Sequence, residues 1–180
     1  LHITHFDSTY DCKEQTNEYS LTSIFEVCAK ENHVDSLNLA HSFSGTGSIK
    51  VSVEPRDFFL QNQNNRDDGN FQISSIMFPR QLGRNEKMDF RVCREFRGGK
   101  IKPKHFYIHH VNDIYPNGIT LRVILDREVE EFTKEILPPG LSVTPIRQEV
   151  VQGKGLRQIE WVIKKPCVTH RYKIAWRCIE

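Results

Sequence analysis

The sequence contains no pattern that is diagnostic of a catalytic centre. No serine lies in a Gly-x-Ser-x-Gly elbow. The glycine-lysine stretches at residues 98–100 and 153–155 lack the strand, loop and helix context that a phosphate-binding loop needs. No cysteine has the local signature of a reactive thiol, such as a helix N-terminus. We therefore expect no cofactor and no enzymatic activity in this chain.

Cysteine is scarce, and sites for N-glycosylation are absent. The chain has 5 cysteines in 180 residues, an odd and irregularly spaced set, and it has no Asn-x-Ser/Thr sequence. A secreted disulfide scaffold has more cysteines, usually in even number. Both features favour an intracellular setting, cytoplasmic or nuclear. A single bridge, for example between Cys167 and Cys178, remains open at this point.

Long apolar runs and an initiating methionine are also missing. The longest apolar runs are far shorter than a membrane span requires, so none is expected. Because the chain begins with Leu1, we expect a fragment of a longer protein, and a lost signal peptide stays open. We predict one domain over residues 1–180. The alternative is two small β subdomains, 1–65 and 66–180, that meet near the polar stretch 60–70.

What the sequence does contain is alternation of apolar and polar residues, the period of a strand with one buried face. It is clear at residues 19–29 and 87–96. The best example is the C-terminal stretch 156–180, where two alternating runs each carry a tryptophan, Trp161 and Trp176. A buried tryptophan removes a large apolar area from water. We predict that these two runs form a strand pair that seals a β-sheet core.

The count of such runs is about nine or ten, and they are separated by turn residues at regular intervals. This pattern predicts an all-β protein, an antiparallel β-sandwich of the Ig-like or jelly-roll kind. One short helix is expected at residues 127–137. Asp126 would cap it, and Val129, Phe132 and Ile136 would lie on its apolar side.

Histidines provide the only candidate metal ligands. The His5-x-Asp7 triplet, with His170 as a distant third ligand, has the composition of a non-haem iron site in a jelly-roll oxygenase. A second group comprises His105, His109 and His110. In a strand, residues 105 and 109 are about 13 Å apart, too far to bind one metal, so we expect ordinary strand histidines there.

Charge is unevenly distributed along the chain. Residues 1–78 carry 5 basic and 11 acidic side chains, whereas residues 79–180 carry 20 basic and 12 acidic ones. Basic residues beside aromatic ones can bind nucleic acid, and they can equally bind an acidic protein surface. The candidate residues lie in one tract and in the last strand: Arg91, Arg94, Arg97, Lys100, Lys102, Lys104, Arg171, Lys173 and Arg177.

These observations lead to a functional prediction. The expected protein is a non-catalytic interaction or regulatory module of a larger intracellular protein, which binds a protein partner or other domains of its own chain. The first alternative is a module that binds nucleic acid or another polyanion through the basic tract 91–104. The second alternative is a metal-dependent jelly-roll oxygenase that uses His5, Asp7 and His170.

Overall fold

The computed structural model describes residues 1–13, 15–16, 18–42, 48–63, 71–97 and 105–179. These residues form eleven β-strands and no helix, which confirms the all-β prediction with slightly more strands than expected. The strands are β1 (His2–Lys13), β2 (Glu18–Cys28), β3 (Val34–Ser42), β4 (Ser48–Glu54), β5 (Phe59–Gln63), β6 (Phe71–Leu82), β7 (Lys87–Arg97), β8 (Phe106–His110), β9 (Ile119–Leu137), β10 (Arg147–Ile163) and β11 (Arg171–Cys178).

The strands are organised in two curled sheets. The large sheet has eight strands in the order β4-β7-β2-β1-β9-β11-β8, and β10 also pairs with β9. The small sheet has the order β3-β6-β5. One hydrophobic cluster contains residues of both sheets, including Phe25 and Phe90 of the large sheet and Ile76, Phe78 and Leu82 of the small one. The core therefore lies where the two sheets meet.

Strand β1 occupies the middle of the large sheet, although its sequence has no obvious period. Its inward face carries Thr4, Phe6, Ser8, Tyr10 and Cys12, all buried. Two of these five side chains are polar, so the apolar alternation is interrupted. Strand β1 pairs with β2 in the antiparallel sense and with β9 in the parallel sense. The prediction of a purely antiparallel arrangement is therefore wrong at this one pairing.

The helix predicted at residues 127–137 is not formed, because these residues continue strand β9. The pairing with β11 runs through Glu131 and then skips to Val129, so Glu130 is an extra residue at a β-bulge. A bulge shifts the alternation by one residue. Val129 and Phe132 consequently both face the core at a spacing of three. This spacing imitates the apolar stripe of a helix.

The predicted C-terminal strand pair is also wrong, since β10 and β11 do not pair with each other. They lie on opposite sides of β9: Trp161 is opposite Leu121, and Trp176 is opposite Phe132. Trp176 is buried, whereas Trp161 is half-buried with its ring edge-on to Tyr172 at 5.4 Å between centroids. Both runs still contribute buried side chains to the core, such as Ile159 and Trp176, and each run pairs with β9. All five cysteines are free thiols, so the bridge that was left open between Cys167 and Cys178 does not form.

Several pairings join the two parts of the chain that a boundary near residue 65 would separate. Strand β2 pairs with β7, β1 pairs with β9, and β5 pairs with β6. Within the polar stretch 60–70, residues 64–70 lie outside the described part of the chain. The organisation as a single domain stays a prediction. The described residues include no helix that could cross a membrane.

Candidate ligand-binding cleft

A cleft of about 400 Å³, here called the inner cleft, lies between the large sheet and strand β3. Its lining residues come from β1, β2, β3, β7 and β8 and from positions 112, 113 and 115 after β8. Most lining side chains are apolar or aromatic. The polar lining includes Ser23, Asn38, Arg94, Tyr107, His109 and Asp113. This volume lies within the range of sites that bind small molecules.

Arg94 is the only charged side chain on the inward face of the described part of β7. The alternation that buries Phe90 and Val92 also turns residue 94 inward, opposite Leu21 of β2 and Val51 of β4. Arg94 is 8% exposed, and its Nε has no hydrogen-bond partner among the described residues. Burial lowers the pKa of Arg94 to about 10, and at neutral pH the side chain still carries its charge.

Tyr107 enters the same region from strand β8 and binds a pair of buried serines. Its hydroxyl donates a hydrogen bond of 2.8 Å to Oγ of Ser8, and the Oγ atoms of Ser8 and Ser23 lie 3.4 Å apart. Burial raises the pKa of Tyr107 to about 12, although the hydrogen bond with Ser8 opposes this shift. Tyr107 is therefore neutral at physiological pH and brings no negative charge to Arg94.

His109 lies two residues beyond Tyr107 on the same face of β8. Its ring stacks on Phe6 with 4.3 Å between centroids, and its Nε2 is shielded from solvent without a hydrogen-bond partner among the described residues. Burial, together with the nearby His110 and Arg94, lowers the pKa of His109 to about 3. His109 is therefore neutral at physiological pH. A neutral imidazole can present either a donor or an acceptor at Nε2.

Asp113 is the carboxylate in this lining, and its oxygens are bound by other groups. Its Oδ2 lies 3.4 Å from Nδ1 of His2 and accepts a hydrogen bond of 3.3 Å from the amide of Ile3. Its Oδ1 accepts a hydrogen bond of 2.7 Å from the amide of Ile114. Arg94 forms no ion pair within the described residues. The inner cleft thus contains one buried positive charge, one carboxylate that is bound by its own neighbours, several neutral polar groups and an apolar wall.

The structure does not assemble the predicted metal site. Nε2 of His5 contacts Oδ1 of Asp7 at 3.2 Å, and Arg122 approaches the same carboxylate at 3.6 Å. His170 lies in the connection between β10 and β11 and is not part of this group. In the described ranges, no group of three or more His, Cys, Asp or Glu residues could hold a metal ion.

The predicted basic surface divides into buried and exposed residues. Arg171 is as buried as Arg94, but its guanidinium donates to the carbonyl oxygens of Pro138 and Ser142. Three members form ion pairs with acidic neighbours: Arg91 with Glu54, Lys173 with Glu135, and Arg177 with Glu130. The lysines at 100, 102 and 104 lie outside the described residues, and Arg97 ends strand β7. Partner binding by this set stays a prediction.

The sequence groups Arg94 with the basic tract 91–104, whereas the structure buries its side chain. The alternation over residues 87–96 predicts Met88, Phe90, Val92 and Phe96 as the inward residues, which leaves a gap at residue 94. That gap is the signal that could have found the site. A charged residue in the apolar phase of a well-patterned strand must be buried, unless the strand bends at that position.

Comparison with known proteins gave matches of fold only. No family model and no curated protein matches the sequence. Among solved structures, a mutant of the M1 zinc metallopeptidase from Deinococcus radiodurans matches 97% of this chain with a TM-score of 0.55 and 14% identity. Yeast LTA4 hydrolase matches 97% with a TM-score of 0.53 and 9% identity. The chain spans only 42% and 28% of these two proteins.

These matches correct the functional prediction made from the sequence. The predictions of an interaction module, a polyanion-binding module and a jelly-roll oxygenase are contradicted. The solved structures that share this fold are peptidase-like enzymes, of which the matched region is one part. The general His-Glu-x-x-His zinc motif is absent from this sequence, since no histidine is followed by glutamate, and the described residues offer no metal-ligand group.

Proposed function

We propose that this chain is one domain of a larger, peptidase-like enzyme, and that the catalytic metal is held by another part of that enzyme. The observation that carries the proposal is the fold match over 97% of the chain to 42% of an M1 zinc metallopeptidase. The chain itself carries no peptidase activity under this proposal. Its contribution is a rigid β scaffold with a binding cleft.

An exposed apolar segment supports a position beside another domain. In the connection between β9 and β10, the side chains of Leu141, Val143 and Ile146 are 95%, 80% and 61% exposed. Val150, early in β10, is 55% exposed. Exposed apolar side chains that lie this close along the chain support a surface that contacts a partner. The proposed partner is the remainder of the same enzyme.

The finer architecture and the setting belong to the same proposal. The shared core of the two sheets supports a β-sandwich arrangement within a single domain. The five free thiols support an intracellular location for the enzyme.

The experiment compares the 180-residue chain with a longer protein that contains it. Both are assayed with the tripeptide Tyr-Ser-Ala, a substrate bound in one of the matched peptidase structures. Zinc is measured on both by mass spectrometry. We expect tyrosine release and about one zinc per chain only in the longer protein, with activity lost on chelation and restored by zinc.

Two outcomes would overturn the proposal. Hydrolysis by the 180-residue chain alone would place catalysis within it. A longer protein that binds no zinc and cleaves no peptide, including aminoacyl 4-nitroanilides, would reduce the relationship to a shared fold.

A further inference from the structure

We propose that the inner cleft binds a small molecule in which a carboxylate is joined to an apolar body, and that Arg94 receives the carboxylate. The inference does not rest on the peptidase relationship, because every group that it uses belongs to this chain. The proposed site lies in the core region between β7, β8 and β3, and it is separate from the predicted metal ligands.

The buried charge of Arg94 has no ion-pair partner within the described residues. A buried ion without a partner is strongly unfavourable, so buried charges in proteins are normally paired or hydrogen-bonded. Arg171 follows this rule through the carbonyl oxygens of Pro138 and Ser142. Arg94 has the same exposure of 8%, but it has no ion pair and no partner for Nε within the described residues. An anionic ligand would supply the missing partner.

The neighbours of Arg94 offer neutral polar groups, and the Asp113 carboxylate of the same lining is bound by His2 and by backbone amides. Tyr107 and Cys93 are the groups that oppose the fall in its pKa, and Tyr107 is neutral because its own pKa is raised to about 12. His109 presents an unpartnered Nε2 in the same lining. A neutral imidazole N–H beside a guanidinium can donate to a carboxylate.

The charge balance of the cleft favours a carboxylate over a phosphate. The cleft has one buried cation, so a monoanion balances its charge, whereas a dianion leaves an excess negative charge in a lining that contains Asp113. A monoanion is therefore matched better than a phosphate. The planar fork of arginine also fits a carboxylate through two parallel hydrogen bonds.

The apolar lining of the cleft determines the rest of the ligand. The lining includes Phe6, Leu21, Phe25, Leu39 and Phe96, so the body of the ligand meets aromatic and branched side chains. A volume of about 400 Å³ admits a small organic acid or the end of a short peptide. Both sources share the required chemistry, and the experiment separates them.

The experiment measures binding by titration calorimetry and by amide chemical shifts on the 180-residue chain. The probes are 3-phenylpropionate for a free acid and N-acetyl-Ala-Phe for a peptide C-terminus. Each acid is paired with its amide, which has the same shape without the charge. We expect at least one acid to bind about tenfold or more tightly than its amide.

The variants test the role of Arg94 directly. Arg94→Gln should reduce acid binding about tenfold or more, and Arg94→Lys should reduce it less, because the charge remains without the fork. Arg91→Gln is the matched control on the exposed face of the same strand, where Arg91 pairs with Glu54. It should bind the acid like the original chain.

Each comparison has one result that supports the proposed site and one that overturns it. Binding of either acid with dependence on Arg94 supports the site, and the tighter acid identifies the source. No binding of either acid, equal binding of acid and amide, or full binding by Arg94→Gln would overturn the proposal. Circular dichroism checks the fold of Arg94→Gln, and the comparison of acid with amide on the original chain stands without any variant. Loss of this proposal leaves the peptidase assay unaffected.

Discussion

The hydroxyl of Tyr107 donates a hydrogen bond of 2.8 Å to Oγ of Ser8, although the two residues are 99 positions apart in the sequence. Strand β8 does not pair with β1, so this contact joins two strands across the interior rather than along a ladder. Both side chains are buried. The bond gives the polar residue at the centre of β1 a partner that the sequence pattern does not reveal.

Removal of the Tyr107 hydroxyl should therefore weaken the fold to a limited extent. In Tyr107→Phe, Ser8 loses its donor and keeps only Ser23, at 3.4 Å. We expect the free energy of unfolding in urea to fall by about 1 kcal/mol. Tyr19→Phe is the control, since Tyr19 is half-buried and stacks on Phe96 through its ring. A fall of the same size in both variants would show that the hydrogen bond is not the cause.

The two buried arginines should respond to substitution with opposite signs. Arg94→Met removes an unpaired buried charge and places an apolar chain beside Leu21 and Val51, so we expect unfolding to cost about 1–3 kcal/mol more. Arg171→Met leaves the carbonyl groups of Pro138 and Ser142 without their donor, so we expect a loss of about 1–3 kcal/mol. Urea unfolding of both variants is the measurement.

A loss of stability in Arg94→Met would mean that the guanidinium has partners in solution that the structure does not show. A gain of stability in Arg94→Met would show that Arg94 destabilises the free protein, as expected for a residue that is kept to bind a ligand. Binding sites commonly retain groups that cost stability in the free protein, because a ligand uses them.

The sequence predicts the fold class because β2 and β7 alternate cleanly. Phe25 and Val27, and Phe90 and Val92, are buried where the pattern places them. The pattern fails where a bulge changes its phase. The extra residue at Glu130 gave β9 the spacing of a helix, and no local rule separates the two cases over so few residues.

The candidate site was harder to predict than the fold. Arg94 could have been recognised from its phase in β7, but its relationship to Tyr107 and His109 depends on the place of β8 at the far end of the sheet. Alternation assigns a face to each residue, and it does not assign an order to the strands. The inner cleft exists because of that order.

His109 should make the protein sensitive to acid. Its pKa is about 3 in the folded chain and about 6.5 in an unfolded one, so unfolding takes up a proton between these values. Stability contributed by the neutral ring is complete above pH 6.5 and is lost as the pH falls toward 3. The slope reaches about 1.4 kcal/mol per pH unit.

His109→Phe should flatten this dependence, because phenylalanine retains the stack on Phe6 and cannot be protonated. The measurement is urea unfolding at several values between pH 7 and 4. The groups that face His109 include His110, Arg94, Asp113 and Tyr115, and all remain in the variant. Exposed His33, mutated to Gln, is the control. Equal slopes for His109→Phe and the original chain would contradict a buried neutral imidazole.

Gly153 should be the glycine least tolerant of a side chain among those that the structure describes. It lies in β10 where the register shifts between Gln152 and Leu156, and a Cβ atom there would stand 2.2 Å from the carbonyl oxygen of Val129. That oxygen belongs to the backbone of β9 and cannot rotate away. We expect Gly153→Ala to lower the free energy of unfolding by about 3 kcal/mol.

Gly83→Ala is the matched control, because its nearest neighbour is Glu86 at 3.6 Å and its backbone is unstrained, so its effect should stay within about 0.5 kcal/mol. Urea unfolding measures both. If Gly153→Ala is as mild as the control, strand β10 does not approach β9 through this bulge, and the register of the longest pairing in the protein must be reassigned.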